Sequence, residues 1–260
     1  MLKSLFLPII FLFLPLNNNL VSNLNGYNKA EAQSFKNSSA DSDWDLILNR
    51  YVIKSEPDGV NLFNYAALSK SSDDWVLLNN YLTSLEGIDP NLMLKNEAIA
   101  YYANLYNAVT VKLITENYPI KSIRKLGPFN SGPWKRKIIK LNGELVSLDD
   151  IEHKILRSKY LSPYIHYMLN CASISCPNLQ KKAWKGETLK SDQQRAVSEY
   201  INSSRGVALK KDGLQVSSIY KWFKGDFKSD GGVLDHILKH ANKDLKNAIK
   251  KVEKIKSYNY

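Results

Sequence analysis

Every position from Leu5 to Leu16 is apolar, a run of about twelve residues and well short of the roughly 20 that a membrane-spanning helix needs. Lys3 precedes the run and an Asn-rich polar stretch follows it. Ala30-Glu31-Ala32 then places small residues at both ends of a cleavage pattern. This order predicts a signal peptide over residues 1–32, cleaved after Ala32, and export to the periplasm or the exterior. An uncleaved anchor is the alternative. No second apolar run of spanning length follows, so no transmembrane segment is expected once the signal is removed. Residues 33–42, rich in Ser and Asn, read as a linker. Residues 43–260 read as one domain.

Within that domain the apolar positions change period several times. From Asp43 to Leu85 they fit helices broken near Pro57-Asp58-Gly59. The strongest helical signal runs from about Asn96, a favourable N-cap, to Asn117, with Pro119 ending it. That helix is apolar nearly all round, which predicts a central, buried rod. Two hairpins are marked. Lys137–Leu141 and Glu144–Ser147 flank an Asn142-Gly143 turn, and Val207–Leu209 and Leu214–Val216 flank Lys211-Asp212-Gly213. Each hairpin leads into a helix. Ser147-Leu148-Asp149-Asp150 has the shape of a capping box opening Leu148–Arg157, and Ser217 or Ser218 caps Ile219–Phe227. Tyr164–Asn170, interrupted only by His166, reads as a buried strand. The tail from Gly232 carries Leu234, Ile237, Leu238, Ala241, Leu245 and Ile249 at helical spacing. No regular strand–helix alternation appears. The predicted class is therefore α+β, a single helix-rich domain with a small antiparallel sheet built from short hairpins.

Composition narrows the class. At 44% hydrophobic and 23% charged, with two Cys, the 260-residue chain is neither disordered nor a disulfide-dense mini-protein. Its net charge of +11 raises nucleic acid or an anionic envelope polymer as partners. Zinc-finger spacing, a helix-turn-helix pattern and an aromatic-interleaved basic groove are all missing, so no nucleic-acid partner is expected. The lysines are scattered, densest from Lys239 to Lys256, and favour a solvated basic face over attraction to anionic envelope polymers. Other partners are unknown, and no cofactor is expected.

The chemistry concentrates between residues 96 and 180. Asn104 and Asn107 are three apart on one face of the buried rod. Burying an unpaired amide costs roughly 1–3 kcal/mol, so both need hydrogen bonds. Splinting loop backbone is the favoured reading, and orienting an imidazole or an oxyanion is the sharper one. In the next helix, at 100° per residue, Leu148, Ile151 and Ile155 form an apolar stripe with Glu152 inside it and His153 beside it. A carboxylate so placed needs a partner, and a structural ion pair is at least as good an explanation as catalysis. The segment from His166 to Pro177 then runs into a loop holding Asn170, Cys171, Ser173, Ser175 and Cys176. His166 could be a satisfied core histidine. In an exported chain with two cysteines, a Cys171–Cys176 disulfide ranks first, a reactive thiol second and a metal site last, because the Cys-x4-Cys spacing is atypical of zinc.

These segments resemble a known family. Ala100–Ala108 (Ala-Tyr-Tyr-Ala-Asn-Leu-Tyr-Asn-Ala), Tyr118-Pro119-Ile120-Lys121-Ser122-Ile123, Leu148–His153 with Leu156-Arg157, and His166–Pro177 are similar to the domain-of-unknown-function 547 family. Its members carry Ala-Phe-Trp-Ile-Asn-Leu-Tyr-Asn-Ala, then Tyr-Pro-x-x-Ser-Ile, then His-x-x-Leu-Asn-Cys and Ser-Cys-Pro. Tyr220–Phe223 and Asp226-Phe227 match a later element of the family. The chain departs from the pattern at Tyr101-Tyr102-Ala103. It also ends at Tyr260, where relatives usually continue through a Trp-containing end, so the last strand is expected to be short. The resemblance implies no settled activity and suggests a thiol-hydrolase or transglutaminase-like arrangement.

Two functions follow. In an envelope hydrolase or acyl transferase, Cys171 is the nucleophile, His153 or His166 its base, and Glu152 or an Asn the orienting group. In an exported ligand- or partner-binding module, the cysteines are a staple, and Asn104, Asn107, Asn170 and Ser173 are binding candidates. Glu152, His153, His166 and Cys171 are expected to converge on one concave site bordered by the Asn104/Asn107 helix.

Overall fold

The computed structural model describes residues 41–56, 59–211, 213–252 and 254–259. The expected signal-peptide segment and most of the expected linker lie outside the described residues. Residues 41 and 42 of that linker already belong to the first helix, α1 (41–51). Trp44 of α1 stacks on Tyr81 of α3 (Ser72–Glu86), with centroids 5.7 Å apart and rings 5° from parallel. The expected break near Pro57 is a hairpin, in which β1 (Val52–Ser55) pairs antiparallel with β2 (Val60–Phe63). A one-turn helix, α2 (Tyr65–Leu68), follows and is capped by the Asn64 side chain. Ser71 caps α3 by accepting from Asp74 N–H, and Asp73 and Asp74 sit where the helix dipole favours negative charge.

The rod predicted by the apolar pattern is α4 (Lys95–Glu116), buried at every position from Ala98 to Val111. It begins one residue earlier than Asn96. Glu97 reaches back to accept from Leu94 N–H at 3.3 Å, so the first turn is held by N3 and no Asn cap is needed. Thr110 and Thr115 turn their hydroxyls onto the carbonyls four residues back, at 2.8 and 2.9 Å. That satisfies both hydroxyls without a partner outside the helix.

The Asn142-Gly143 hairpin forms as the sequence predicts, joining β3 (Ile139–Leu141) and β4 (Glu144–Val146). Both turn residues have positive φ (50° and 83°), the backbone this turn demands. Ser147 and Asp150 then form the reciprocal capping box. Ser147 Oγ accepts from Asp150 N–H at 3.1 Å, and Asp150 Oδ2 accepts from Ser147 N–H at 2.8 Å. The helix that follows, Asp150–Arg157, is a π-helix rather than the expected α-helix, and it continues into α5 (Ser158–Tyr160). Its fully buried positions are Ile151 and Leu156, five apart, while Ile155 is only partly buried. The wider turn leaves Glu152 and His153 at partly buried positions.

Tyr164–Asn170 is not a strand. Pro163 opens a 3-10 helix, Pro163–Tyr167, with Ser162 accepting from Tyr164 N–H at 3.4 Å. A short apolar run does not by itself distinguish a buried strand from a buried helical turn. Helix α6 (Leu189–Ile201) precedes the second hairpin, β5 (Val207–Lys210) with β6 (Gly213–Ser217). Then come α7 (Ile219–Trp222) and a 3-10 helix, Lys224–Asp230. The helical tail is two helices, α8 (Val233–His240) and α9 (Lys243–Val252). They are broken where Asn242 accepts from Leu245 N–H at 2.8 Å and so restarts the helix. Strand β7 (Ile255–Asn259) adds parallel to β6, an addition to the expected hairpins. One continuous buried cluster runs from Trp44 to Ile249, so the α+β elements share a single core. No helix among the described residues is long and apolar enough to cross a membrane.

Candidate functional site

A cavity of about 260 Å³ opens where the π-helix, the loop after the 3-10 helix Pro163–Tyr167, and α7 meet beside α4. Glu152, His153, His166 and Cys171 all line it, so the four residues singled out from sequence come together on one concave surface. Helix α4 borders it through Tyr106, not through its asparagines.

The π-helix supplies the charged wall. The Tyr106 hydroxyl donates to Glu152 Oε2 at 3.2 Å, and burial, with the Glu152 charge added, pushes the Tyr106 phenol far up, so it stays a donor. Glu152 thus has a neutral hydrogen-bonding partner rather than a structural cation. The Arg157 guanidinium lies 3.0 Å from His153 Nδ1 and can only donate, which makes Nδ1 the acceptor in the neutral ring and places its N–H at Nε2. Nε2 faces Asp149 Oδ1 at 3.7 Å, and Nδ1 lies 3.9 Å from Glu152 Oε1.

Behind this wall lies an assembly that sequence reasoning did not single out. Arg157 grips Asp226 with both ends of its fork, Nε to Oδ2 at 2.6 Å and Nη2 to Oδ1 at 3.0 Å. His166 Nε2 meets the same carboxylate at 2.8 Å. The hydrogen bond from His166, reinforced by Arg157, holds the Asp226 carboxyl well below the usual carboxylate range despite partial burial. Phe223 fills the space between them. The His166 ring stacks on it (4.4 Å, 17°), and the Arg157 guanidinium sits 4.4 Å from its centre. His166 is therefore an anchored residue whose ring orientation is fixed by Asp226 and Phe223.

The opposite wall is the Cys171–Pro177 loop. Cys171 and Cys176 are joined as a disulfide, with Cα atoms 6.4 Å apart, the first-ranked of the readings of these two residues. A sulfur bonded to its neighbour has no thiolate to offer. The loop is held on every side. Asn107 Nδ2 donates to Met168 O and its Oδ1 accepts from Asn170 N–H, both at 2.9 Å. Asn170 bridges Pro177 O (2.8 Å) and Ala172 N–H (2.9 Å). Arg205 donates to the carbonyls of Ile174 (3.2 Å) and Cys176 (2.7 Å), and the Tyr200 hydroxyl donates to that of Ser175 at 2.6 Å. Asn104 pairs with both the N–H and the C=O of Trp184, at 2.9 Å each. Asn104, Asn107 and Asn170 are thus occupied with backbone, whereas Ser173, 2.9 Å from Ser175 Oγ, lines the cavity.

Trp134, Trp222, Ile219 and Phe223 complete an apolar surround. Asn259, at the end of β7, also lines it. Its Nδ2 donates to Arg205 O, while its buried Oδ1 has no partner among the described residues. The lining contains Asp149, Glu152 and two imidazoles but, among the described residues, no Lys or Arg, in a chain of net charge +11. Such a site can accept hydrogen bonds from a ligand and stabilise positive charge on it.

Arg157, Phe223 and Asp226 were missed as site residues because Arg157 and Asp226 are 69 positions apart in the chain. Arg157 and Asp226 did stand inside matched family motifs, and that was the available signal. No curated protein and no solved structure matches this chain. A family model described as "Protein of unknown function, DUF547" matches residues 90–201, a span holding Glu152, His153, His166 and both cysteines but ending before Phe223 and Asp226. On that match, the segment from residue 90 to residue 201 is assigned to the DUF547 family.

Proposed function

We propose that this is an exported binding protein whose disulfide-edged cavity takes a small ligand with an apolar body and a protonated amine or similar donor end. One observation carries this reading: two carboxylates and aromatic walls line a cavity that holds no lysine or arginine among the described residues. The size suits a small molecule. Glu152 and Asp149 provide acceptors for the donor end, and Trp134 and Trp222 provide faces for its cation and its apolar part. The disulfide supports export, because such bonds persist in oxidising compartments.

The test is a calorimetric titration with a panel built on one aromatic skeleton, bearing an amine, an alcohol or a carboxylate. The amine is expected to bind and the carboxylate not. Glu152→Gln is expected to weaken amine binding by about 10–100-fold, the equivalent of a charged hydrogen bond of about 1.5–3 kcal/mol. Equal binding of amine and carboxylate, or no effect of Glu152→Gln, contradicts the proposal.

A second reading rests on the placement of Cys171 in the same cavity as His153 and His166. Reduction of the disulfide would release a thiol there, and a thiol-dependent hydrolase or acyl transferase would then show ester turnover only with reductant. That turnover would be lost in Cys171→Ser.

A further inference from the structure

Outside this cavity a second cluster of ligating side chains stands on α8. His236 and His240 are four apart and share one face of that helix. Gly231 and Gly232, both at positive φ (86° and 112°), turn the chain so that Asp230 lies over the first turns of α8. One ligand atom from each of Asp230, His236 and His240 falls within 4.8 Å of the others. The ring of Phe227 separates this cluster from the cavity, 4.9 Å from His236 on one side and 5.7 Å from His166 on the other.

We propose that Asp230, His236 and His240 bind one divalent transition-metal ion, Zn(II) by ligand type. Two imidazoles and one carboxylate, leaving a fourth position open, form a donor set that zinc takes up readily. The outer contacts such ligands need are in place. His236 is fully buried. Its Nδ1 meets Asp230 Oδ2 at 2.6 Å, and its Nε2 lies 2.8 Å from the Tyr167 hydroxyl. An ion entering between His236 Nδ1 and Asp230 Oδ2 replaces the proton they share, while Nε2–H donates to Tyr167 and fixes the tautomer. Asp230 Oδ1 is held separately by Lys239 Nζ at 2.9 Å, so the carboxylate can ligate through Oδ2 without losing that contact. The Tyr164 hydroxyl, 3.2 Å from His240 Nε2, orients the third ligand.

The groups are also in their ligating protonation states. Burial pushes His240 down to about 4 and lowers His236, so both rings are neutral near pH 7. Burial alone would raise Asp230, but hydrogen bonds from Lys239 and His236 hold it below its ordinary value. The 2.6 Å Nδ1···Oδ2 gap must widen to roughly 3 Å or more, and the His240 ring, whose ligand atom lies within 4.8 Å of the other two, must close on them to give ordinary zinc–ligand bonds.

The test uses the full chain, freed of metal with a chelator and titrated with Zn(II) against a chromophoric competitor. One Zn(II) per chain is expected. His240→Gln and Asp230→Asn, which leave the buried His236 in place, are each expected to weaken binding at least about 10-fold, the low end of what even an outer contact to a metal ligand contributes. His153→Gln, in the cavity, is expected to leave Zn(II) affinity unchanged. Co(II) loaded in place of Zn(II) is expected to show the strong visible bands of a four-coordinate site, lost in His240→Gln. Failure to bind Zn(II), or equal affinity in the parent chain and both folded variants, would show that Asp230, His236 and Tyr167 form a closed hydrogen-bond network and would overturn the proposal.

Discussion

Replacing Asn107 with Leu removes the side-chain amide by which α4 holds the backbone just ahead of the disulfide loop. Asn107 is 2% exposed and pairs with both Met168 O and Asn170 N–H. Leucine matches asparagine in the number and branching of its side-chain heavy atoms, so the change leaves no cavity but strips a buried carbonyl and a partly buried N–H of their partners. Each orphaned group costs about 1–3 kcal/mol, and the added apolar burial of Leu offsets part of the total, leaving a net loss of about 2–4 kcal/mol. A chain of this size loses about 2–4 °C of melting temperature per kcal/mol, so the midpoint is expected to fall by about 5–15 °C in calorimetry. Because Met168 and Asn170 lead directly into Cys171, the variant is also expected to speed reduction of the disulfide by a mild thiol reagent. A midpoint within about 2 °C of the parent chain, where about 1 kcal/mol or less is at stake, would mean that water satisfies these groups and that the amide does not splint the loop.

Asp226→Asn is expected to destabilise the protein at pH 7 by about 1–3 kcal/mol, the scale of charge-assisted hydrogen bonds from Arg157 and His166. Because the Asp226 carboxyl is held below its ordinary value, its contribution is present above about pH 4 and lost as pH falls, so parent and variant melting curves should converge in acid. Asp41, buried beside Tyr81 and Asn104, has the opposite sign. Burial pushes its carboxyl up to about 7, so folding favours the protonated form, and stability is expected to decline as pH rises from about 4 to 7. Asp41→Asn should flatten that decline and melt higher than the parent chain at pH 8. Replacing both cysteines with Ala should cost about 2 kcal/mol from the loss of a short cross-linked loop, seen as a lower melting midpoint that reductant no longer affects. Expression in an export-competent bacterial host should yield protein beginning at Gln33 by N-terminal sequencing, and a product beginning at Met1 would refute cleavage after Ala32.

Elements specified by local chemistry were legible in the sequence. Helix α4 is announced by a run that is apolar nearly all round, with thirteen of its seventeen buried positions Ala, Ile, Leu, Val or Tyr, and the Asn142-Gly143 turn by the two residues best suited to positive φ. The Ser147/Asp150 capping box depends only on residues three apart. What stayed hidden depends on distance or on helix type. The π-helix buries Ile151 and Leu156 at a five-residue interval, which a 3.6-residue reading assigns to Ile151 and Ile155. The segment around His166 is a 3-10 turn begun by Pro163, and no periodicity in five residues separates that from a strand. Parallel pairing of β7 with β6 joins segments some forty residues apart, and the Arg157–Asp226 fork joins segments 69 apart. The anomalies did point to this cavity, since Glu152 in an apolar stripe and His166 in a buried segment each needed polar surroundings and found them around it. The asparagines answered the same need by binding backbone.

On the proposed function, the cavity binds its ligand with the disulfide closed. The most direct measurement is therefore a redox-resolved titration. Protein purified without reductant is assayed for free thiols and then titrated with the aromatic amine, in parallel with the reduced protein and with Glu152→Gln. The expected result is no free thiol and saturable binding by the oxidised protein, weakened about 10–100-fold in Glu152→Gln. Two free thiols in the purified protein, or binding and turnover that appear only after reduction, would contradict it.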